Sequence, residues 1–136
     1  MELRELIKNR IFLLDGAMGT MLQNSGLKLG ENPEIFNITE PEKVKEVHKA
    51  YLNAGSNMIL TNTFGANEHK LKQTGYGTRE IVLAGVSLAR ECADNYGAFV
   101  ALDIGPIGEL FEPMGTLKFE DGYELFKRQI VQGVKS

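Results

Sequence analysis

Three apolar runs, each ending in a polar residue with glycine close behind, constrain the fold of this chain more than any other feature. They are RIFLLDG at residues 10–16, SNMILTNTFG at residues 56–65 and GAFVALDIGP at residues 97–106. Near-continuous apolar runs of this length are typical of strands that are buried on both faces, as in parallel sheets. The sequence therefore predicts three parallel strands whose carboxyl ends carry polar side chains.

Segments with helical periodicity separate the predicted strands. From Thr39 to Ala54 the apolar residues fall on one helical face, which includes His48 and Tyr51. Thr39, with Glu42 three residues later, predicts a capping box at the start of this helix, and Gly55 predicts its end.

Two further helices and one loop complete the predicted secondary structure. A helix is expected from about Arg79 to Tyr96, with Gly97 as its stop and with Ile81, Leu88, Cys92 and Tyr96 facing inward. Another is expected after Thr116, with a stripe of apolar residues. That stripe consists of Phe119, Tyr123, Phe126, Ile130 and Val134. Residues 22–38 are polar and rich in turn formers, which predicts a long loop, and a short helix is expected at the start of the chain.

The alternation of strands and helices predicts an α/β fold with about three βα units. Parallel strands need such crossover connections, which are nearly always right-handed. Three strands cannot close a barrel, so the inner face of the sheet would lack a cover. We therefore expect residues 1–136 to be the amino-terminal portion of one larger domain, truncated before its fourth strand.

The polar strand ends predict a binding site, because ligands of open sheets and barrels lie beyond the carboxyl ends of parallel strands. Asp15 and Asp103 can accept hydrogen bonds from an ammonium group, and the backbone amides after Gly16 can bind a carboxylate. Such a set suits a small zwitterion such as an amino acid. The alternative is structural: the aspartates cap turns, and Asn62 and Thr63 are turn formers.

Other reactive side chains favour structural interpretations. His48 is expected to pack on a helix face, His69 to lie in a solvated loop and Cys92 to be a small buried thiol. Met18 and Met21 are expected to pack rather than to contact a cofactor. One cysteine excludes an internal disulfide and, by itself, a cysteine-based metal site.

Charge and hydropathy disfavour several classes of partner. A net charge of −3 leaves no electrostatic footprint for nucleic acid or an anionic membrane. The chain shows no signal peptide and no apolar run near the roughly 20 residues that span a bilayer, so a cytoplasmic protein is expected. The glycine pairs in GAMG and GPIG lack both a dinucleotide fingerprint and a P-loop lysine, which disfavours a nucleotide site.

The segments LLDGAMGTMLQ, NITEPEKVKEVHKAYLNAGSNMILTNTFGAN and ALDIGPIGEL resemble the opening of the homocysteine S-methyltransferase domain. The resemblance is greatest to the amino-terminal module of cobalamin-dependent methionine synthases and extends from about Leu6 to Ser136. It implies the first part of a (β/α)8 TIM barrel that binds L-homocysteine. It also implies a zinc ion that is held by three cysteines and bound by the homocysteine thiol. The methyl donor implied is methylcobalamin, recharged from 5-methyltetrahydrofolate on other modules.

Residue by residue, the resemblance assigns Asp15, Gly16 and the Ala17 amide to the amino acid end of homocysteine. Thr61, Asn62, Thr63 and Asp103 match positions that line the same pocket. The zinc cysteines of the family, including a Gly-Gly-Cys-Cys segment, have no counterpart here, and Cys92 does not match a ligand position. We therefore expect part of the substrate cradle, no zinc ligands and no methyl transfer by this chain alone.

Two other functions remain open at this point. One is a non-catalytic half-barrel binding or assembly module that pairs with another chain to cover its apolar face. A homo-oligomer formed through the uncovered sheet is also open. The other is an open-sheet phosphate or nucleotide binder that uses the two glycine turns.

Overall fold

A computed structural model describes residues 3–136, which form short parallel strands surrounded by helices. The helices are α1 (Leu3–Asn9), α2 (Gly19–Asn24), α3 (Phe36–Thr39), α4 (Pro41–Asn53), α5 (Glu68–Leu71), α6 (Thr78–Asp94) and α7 (Phe119–Lys135), with a 3-10 helix at Pro33–Ile35. The strands are β1 (Met58–Leu60) and β2 (Phe99–Ala101). No helix in the described part of the chain has the length and apolarity needed to cross a membrane.

The two strands are parallel neighbours, with Met58 opposite Phe99, and α6 makes the crossover between them. The predicted α/β class with parallel strands is thus confirmed. The first predicted strand, at residues 10–16, is reduced to a single parallel bridge from Leu14 to Met58. It is shorter than predicted because the Asn57 side chain, 3.0 Å away, takes the Leu13 N–H that a longer ladder would use. Membership of a larger barrel stays a prediction.

Helix α4 buries the predicted apolar face, with Val44, Val47, His48 and Leu52 all inaccessible or nearly so. Its start was predicted wrongly, because the Thr39 hydroxyl donates to the Ile35 carbonyl (3.2 Å) and closes α3 instead. Pro41 begins α4, where the fixed φ of proline suits the first helical position. The predicted end is confirmed, since Gly55 follows the helix with a φ of +102°.

Helix α6 lies near its predicted position and buries Ile81, Leu88 and Cys92 as expected. Tyr96 was predicted to face inward, but it is 47% exposed. The helix ends at Asp94, so Tyr96 belongs to the following turn, where its hydroxyl donates to Asn53 at 2.6 Å.

Residues 22–38 are more ordered than the predicted long loop. They contain the end of α2, the 3-10 helix and most of α3, and three of their side chains enter the core. Leu22, Leu27 and Phe36 pack with Val44 and Val47, and Met18 and Met21 pack against this cluster as predicted. The helices are too short, and their apolar residues too sparse, to produce a periodic signal.

Helix α7 confirms the predicted third helix, but its apolar stripe is exposed. Phe119, Tyr123, Ile130 and Val134 are 43–80% accessible. The helix instead approaches the rest of the molecule through Gly122, Gln129 and Gly133. A Cβ on Gly122 would collide with the Phe111 ring, and one on Gly133 would collide with the Leu102 side chain.

Candidate functional site

A pocket of about 520 Å³ lies beyond the carboxyl ends of β1, β2 and the segment that contains the Leu14 bridge. It is lined by every residue that the sequence assigns to the site: Asp15, Gly16, Ala17, Thr61, Asn62, Thr63 and Asp103. These residues come from three separated parts of the chain. They converge because parallel strands end at the same edge of a sheet.

Asp15 contributes an incompletely satisfied carboxylate to the pocket. Its Oδ2 accepts a hydrogen bond from the Leu60 N–H at 3.0 Å, whereas its buried Oδ1 has no partner among residues 3–136. Burial raises the pKa of Asp15; the Leu60 N–H opposes this shift, and the negative charge of Asp103 adds to it. Asp15 therefore has spare acceptor capacity and an unfavourable electrostatic environment.

Asp103 lies in a similar environment. Burial raises the pKa of Asp103 above its usual range, and only the Ile104 N–H opposes this shift. Two neighbouring carboxyl groups with raised pKa values would both be stabilised by a cation placed between them. A primary ammonium group, with three donors, fits this requirement.

The turn at residues 16–17 brings backbone amides to the pocket. The Tyr51 hydroxyl donates to the Ala17 carbonyl at 2.8 Å and fixes the turn. A Cβ on Gly16 would lie 3.0 Å from that hydroxyl oxygen, so glycine leaves room for the contact. The N–H groups of Gly16 and Ala17 form no hydrogen bond with other groups of the described chain, which leaves them available to an anion.

Thr61, Thr63 and Asp103 form a closed ring of hydrogen bonds. The Thr63 hydroxyl donates to the Asp103 carbonyl (2.7 Å), and the Asp103 N–H donates to Thr61 Oγ1 (3.1 Å). The Thr61 hydroxyl must then donate to Thr63 Oγ1, 2.6 Å away, because each hydroxyl has one hydrogen. The ring fastens the end of β2 to the end of β1 and uses both hydroxyl donors.

Asn62 fastens a second segment to the pocket. Its Nδ2 donates to the Pro33 carbonyl and to Asn37 Oδ1, each at 2.9 Å, and Asn37 Nδ2 returns a bond to the Asn62 carbonyl at 2.8 Å. The amide donors of Asn62 are therefore engaged within the protein. This arrangement is more specific than the turn-forming role that the sequence left open.

Sequence reasoning missed three polar residues at or beside the pocket. Glu34 is 4% exposed and accepts a hydrogen bond from the Gly65 N–H at 2.6 Å. Lys70 contributes a cation to the pocket lining, with its Nζ 5.4 Å from the centre of the Phe64 ring. Gln129 is fully buried below the strand ends. Glu34 lies in the predicted loop and Gln129 in a helix, so neither position carried a local signal.

The remaining reactive side chains lie outside the pocket. His48 and Cys92 are buried in the core as predicted. His69 was predicted to lie in a solvated loop but belongs to α5, where its Nε2 lies 3.2 Å from a Glu109 carboxylate oxygen. Across residues 3–136, no group of three or more His, Cys, Asp or Glu side chains is arranged to hold a metal ion. The described residues, with Cys92 as their one cysteine, therefore do not fit a three-cysteine zinc site.

The chain is similar in sequence to known methyltransferases. The family model described as homocysteine S-methyltransferase matches residues 12–136. The chain is 33% identical to a methionine synthase of Mycobacterium tuberculosis (strain ATCC 25618 / H37Rv), in an alignment that covers 71% of this chain and 9% of that protein.

Solved structures of one enzyme resemble the fold. The metallated form of the homocysteine methyltransferase MmuM from Escherichia coli superposes with a TM-score of 0.83 at 22% identity, over 98% of this chain and 53% of that one. Its oxidized form gives a TM-score of 0.68 at 29% identity, over 78% and 41%. The chain thus spans about a tenth of the methionine synthase and about half of the solved methyltransferase.

Proposed function

The chain belongs to the homocysteine S-methyltransferase family, and on this basis we propose that its pocket holds the amino acid head of L-homocysteine. Asp15 and Asp103 receive the ammonium group, and the amides of Gly16 and Ala17 receive the carboxylate. The observation that carries this proposal is the convergence of the two carboxyl groups beside two available amides, with one buried carboxylate oxygen that has no hydrogen-bond partner among residues 3–136. Thr61, Thr63 and Asn62 hold these groups in place.

The proposed reaction of the complete protein is methyl transfer to the homocysteine sulfur, which yields methionine. In this reaction the thiolate is the nucleophile. We propose methylcobalamin, recharged from 5-methyltetrahydrofolate, as the methyl donor, and a cytoplasmic location. Zinc, cobalamin and folate would be held by parts of the protein other than these residues, and this chain would form the first units of a TIM barrel completed by those parts.

Binding of L-homocysteine to this chain tests the proposal directly. We expect Asp15→Asn to weaken binding by about 10- to 100-fold, because a hydrogen bond between charged groups contributes about 1.5–3 kcal/mol. Asp94→Asn is the matched control, since Asp94 is exposed at the end of α6 and lies outside the pocket. Titration calorimetry of the three proteins provides the measurement. Undetectable binding by the unmodified chain, or equal binding by Asp15→Asn, would contradict the proposal.

Inactivity of the isolated chain is a separate part of the proposal. It rests on the absence of a fitting metal-ligand group in the described residues. Methionine formation by this chain, supplied with homocysteine, zinc and methylcobalamin, would contradict it.

A second candidate function rests on the exposed stripe of α7. Phe119 and Val134, near the two ends of the helix, are 72% and 80% accessible. Apolar side chains aligned along one helix face favour contact with another protein surface. The alternative function is therefore a non-catalytic module that pairs with another chain through α7.

A further inference from the structure

Gln129 joins α7 to the floor of the pocket. The side chain is 0% exposed, and its Nε2 donates to the Thr63 carbonyl at 2.7 Å. The same nitrogen lies 3.5 Å from the Asp103 carbonyl oxygen. One amide therefore contacts the chain just beyond β1 and just beyond β2, from the helix layer behind them.

Packing alone does not account for a glutamine at this position. Its Oε1 is buried without a donor within residues 3–136, an arrangement that costs free energy. The neighbouring contacts of α7 are made by Gly122 and Gly133, which touch the apolar side chains of Phe111 and Leu102. An apolar residue at position 129 would continue that surface without an unsatisfied atom.

Gln129 contacts residues of the hydrogen-bond ring that holds the backbone of Asp103. Thr63 donates to the Asp103 carbonyl through its hydroxyl, and Gln129 donates to the Thr63 carbonyl. The Gln129 side chain, which belongs to α7, thus contacts Thr63 and Asp103, two of the three residues in that ring.

We propose that Gln129 is a positioning residue of the homocysteine pocket, which holds the end of β2 so that the Asp103 carboxylate meets the ammonium group of the substrate. This inference rests on the proposed function and extends it to a residue of α7. It assigns to Gln129 an effect on the recognition of the amino group rather than on binding in general.

A comparison of two ligands tests this assignment. L-Homocysteine and 4-mercaptobutanoate share the thiol, the carbon chain and the carboxylate, but only the first has an amino group. We expect Gln129→Met, which removes the amide from a side chain of similar length, to bind L-homocysteine about tenfold more weakly and 4-mercaptobutanoate with unchanged affinity. Gln132→Met, on the same helix and outside the pocket lining, should match the unmodified chain for both ligands.

Two outcomes of this comparison would overturn the inference. One is unchanged affinity of Gln129→Met for L-homocysteine, and the other is an equal loss for both ligands, which a general collapse of the pocket would produce. If Gln129→Met does not fold, Gln129→Leu serves instead, because it also removes the donor and introduces neither a charge nor a titratable group. Melting curves of all variants provide the folding control.

A measurement without ligand separates this inference from the proposed function. Carbon-13 NMR titration of the side-chain carboxyl groups reports the pKa of Asp103 directly. We expect Gln129→Met to return the Asp103 pKa toward its usual range, because a released β2 end admits water, and Gln132→Met to leave it unchanged. An unchanged Asp103 pKa in Gln129→Met would overturn the inference. Failure of the unmodified chain to prefer L-homocysteine would overturn the proposed function, whatever the titration shows.

Discussion

At the scale of single residues, Asp15 lies in an environment that disfavours its ionised form. Its carboxylate is partly desolvated, one of its oxygens has no hydrogen-bond partner within residues 3–136, and Asp103 lies close enough to raise its pKa. A carboxyl group whose pKa is raised by folding favours the folded state below the unfolded pKa and loses this contribution as pH rises through the folded pKa. At neutral pH, therefore, the ionised Asp15 destabilises the ligand-free chain.

We expect Asp15→Asn to raise the melting temperature at pH 7 by a few degrees while it weakens homocysteine binding. The amide oxygen can still accept from the Leu60 N–H, and the buried negative charge is removed. The gain should vanish near pH 3, where the carboxyl group of the unmodified chain is protonated in both states. Thermal melts at the two pH values, with Asp94→Asn beside them, provide the measurement. A lower melting temperature at pH 7 would show that the charge of Asp15 is satisfied in the free chain.

At the scale of elements, α4 carries a buried histidine with an acid-sensitive environment. Neither ring nitrogen of His48 has a hydrogen-bond partner within residues 3–136, and burial lowers its pKa to about 4. The unfolded chain, with a histidine pKa of about 6.5, binds a proton first as pH falls. Stability is therefore lost as pH falls from about 6.5 through the folded pKa, by about 2 kcal/mol at pH 5.

We expect His48→Leu to lose this sensitivity. Urea unfolding at pH 7 and pH 5 measures this sensitivity. The difference between the variant and the unmodified chain isolates His48 from Asp15 and Asp103, whose raised pKa values give contributions of the opposite sign. His69→Gln is the matched control, because it removes the other histidine and leaves His48 in place. An equal response to pH in His48→Leu and the unmodified chain would contradict the expectation.

The elements also show what the sequence could predict. The helical faces of α4 and α6 were predicted because many residues of one segment repeat with one period. The cap predicted at Thr39 does not form, because the threonine hydroxyl donates to the Ile35 carbonyl instead, and α3 is too short to be recognised from the sequence. The residues that line the pocket were predicted because they directly follow apolar runs in the sequence. Glu34 and Gln129 reach the pocket region through contacts 31 and 66 residues apart in the chain, which no local pattern encodes.

At the scale of the whole molecule, one face of α7 exposes large apolar side chains of the kind that are usually buried. Along α7, Phe119, Tyr123, Ile130 and Val134 are exposed on a helix whose buried residues are Gly122 and Gln129. Elsewhere in the chain, Ile11 is 86% exposed. In a completed barrel, further units would cover such surfaces. In this chain alone, they favour association between copies.

We expect the chain to self-associate at high concentration and the paired substitution Ile130→Lys with Val134→Lys to make it monomeric. The two side chains lie one turn apart, and two lysines would place like charges in any contact formed by this face. Sedimentation equilibrium over a range of concentrations measures the effect, with Lys127→Gln on the same helix as a control that adds no charge. A folded monomer at every concentration would remove the pairing module from consideration. If the unmodified chain associates and the double variant, while monomeric, still binds L-homocysteine, then the pocket is complete within one chain, and the α7 face serves assembly rather than substrate binding.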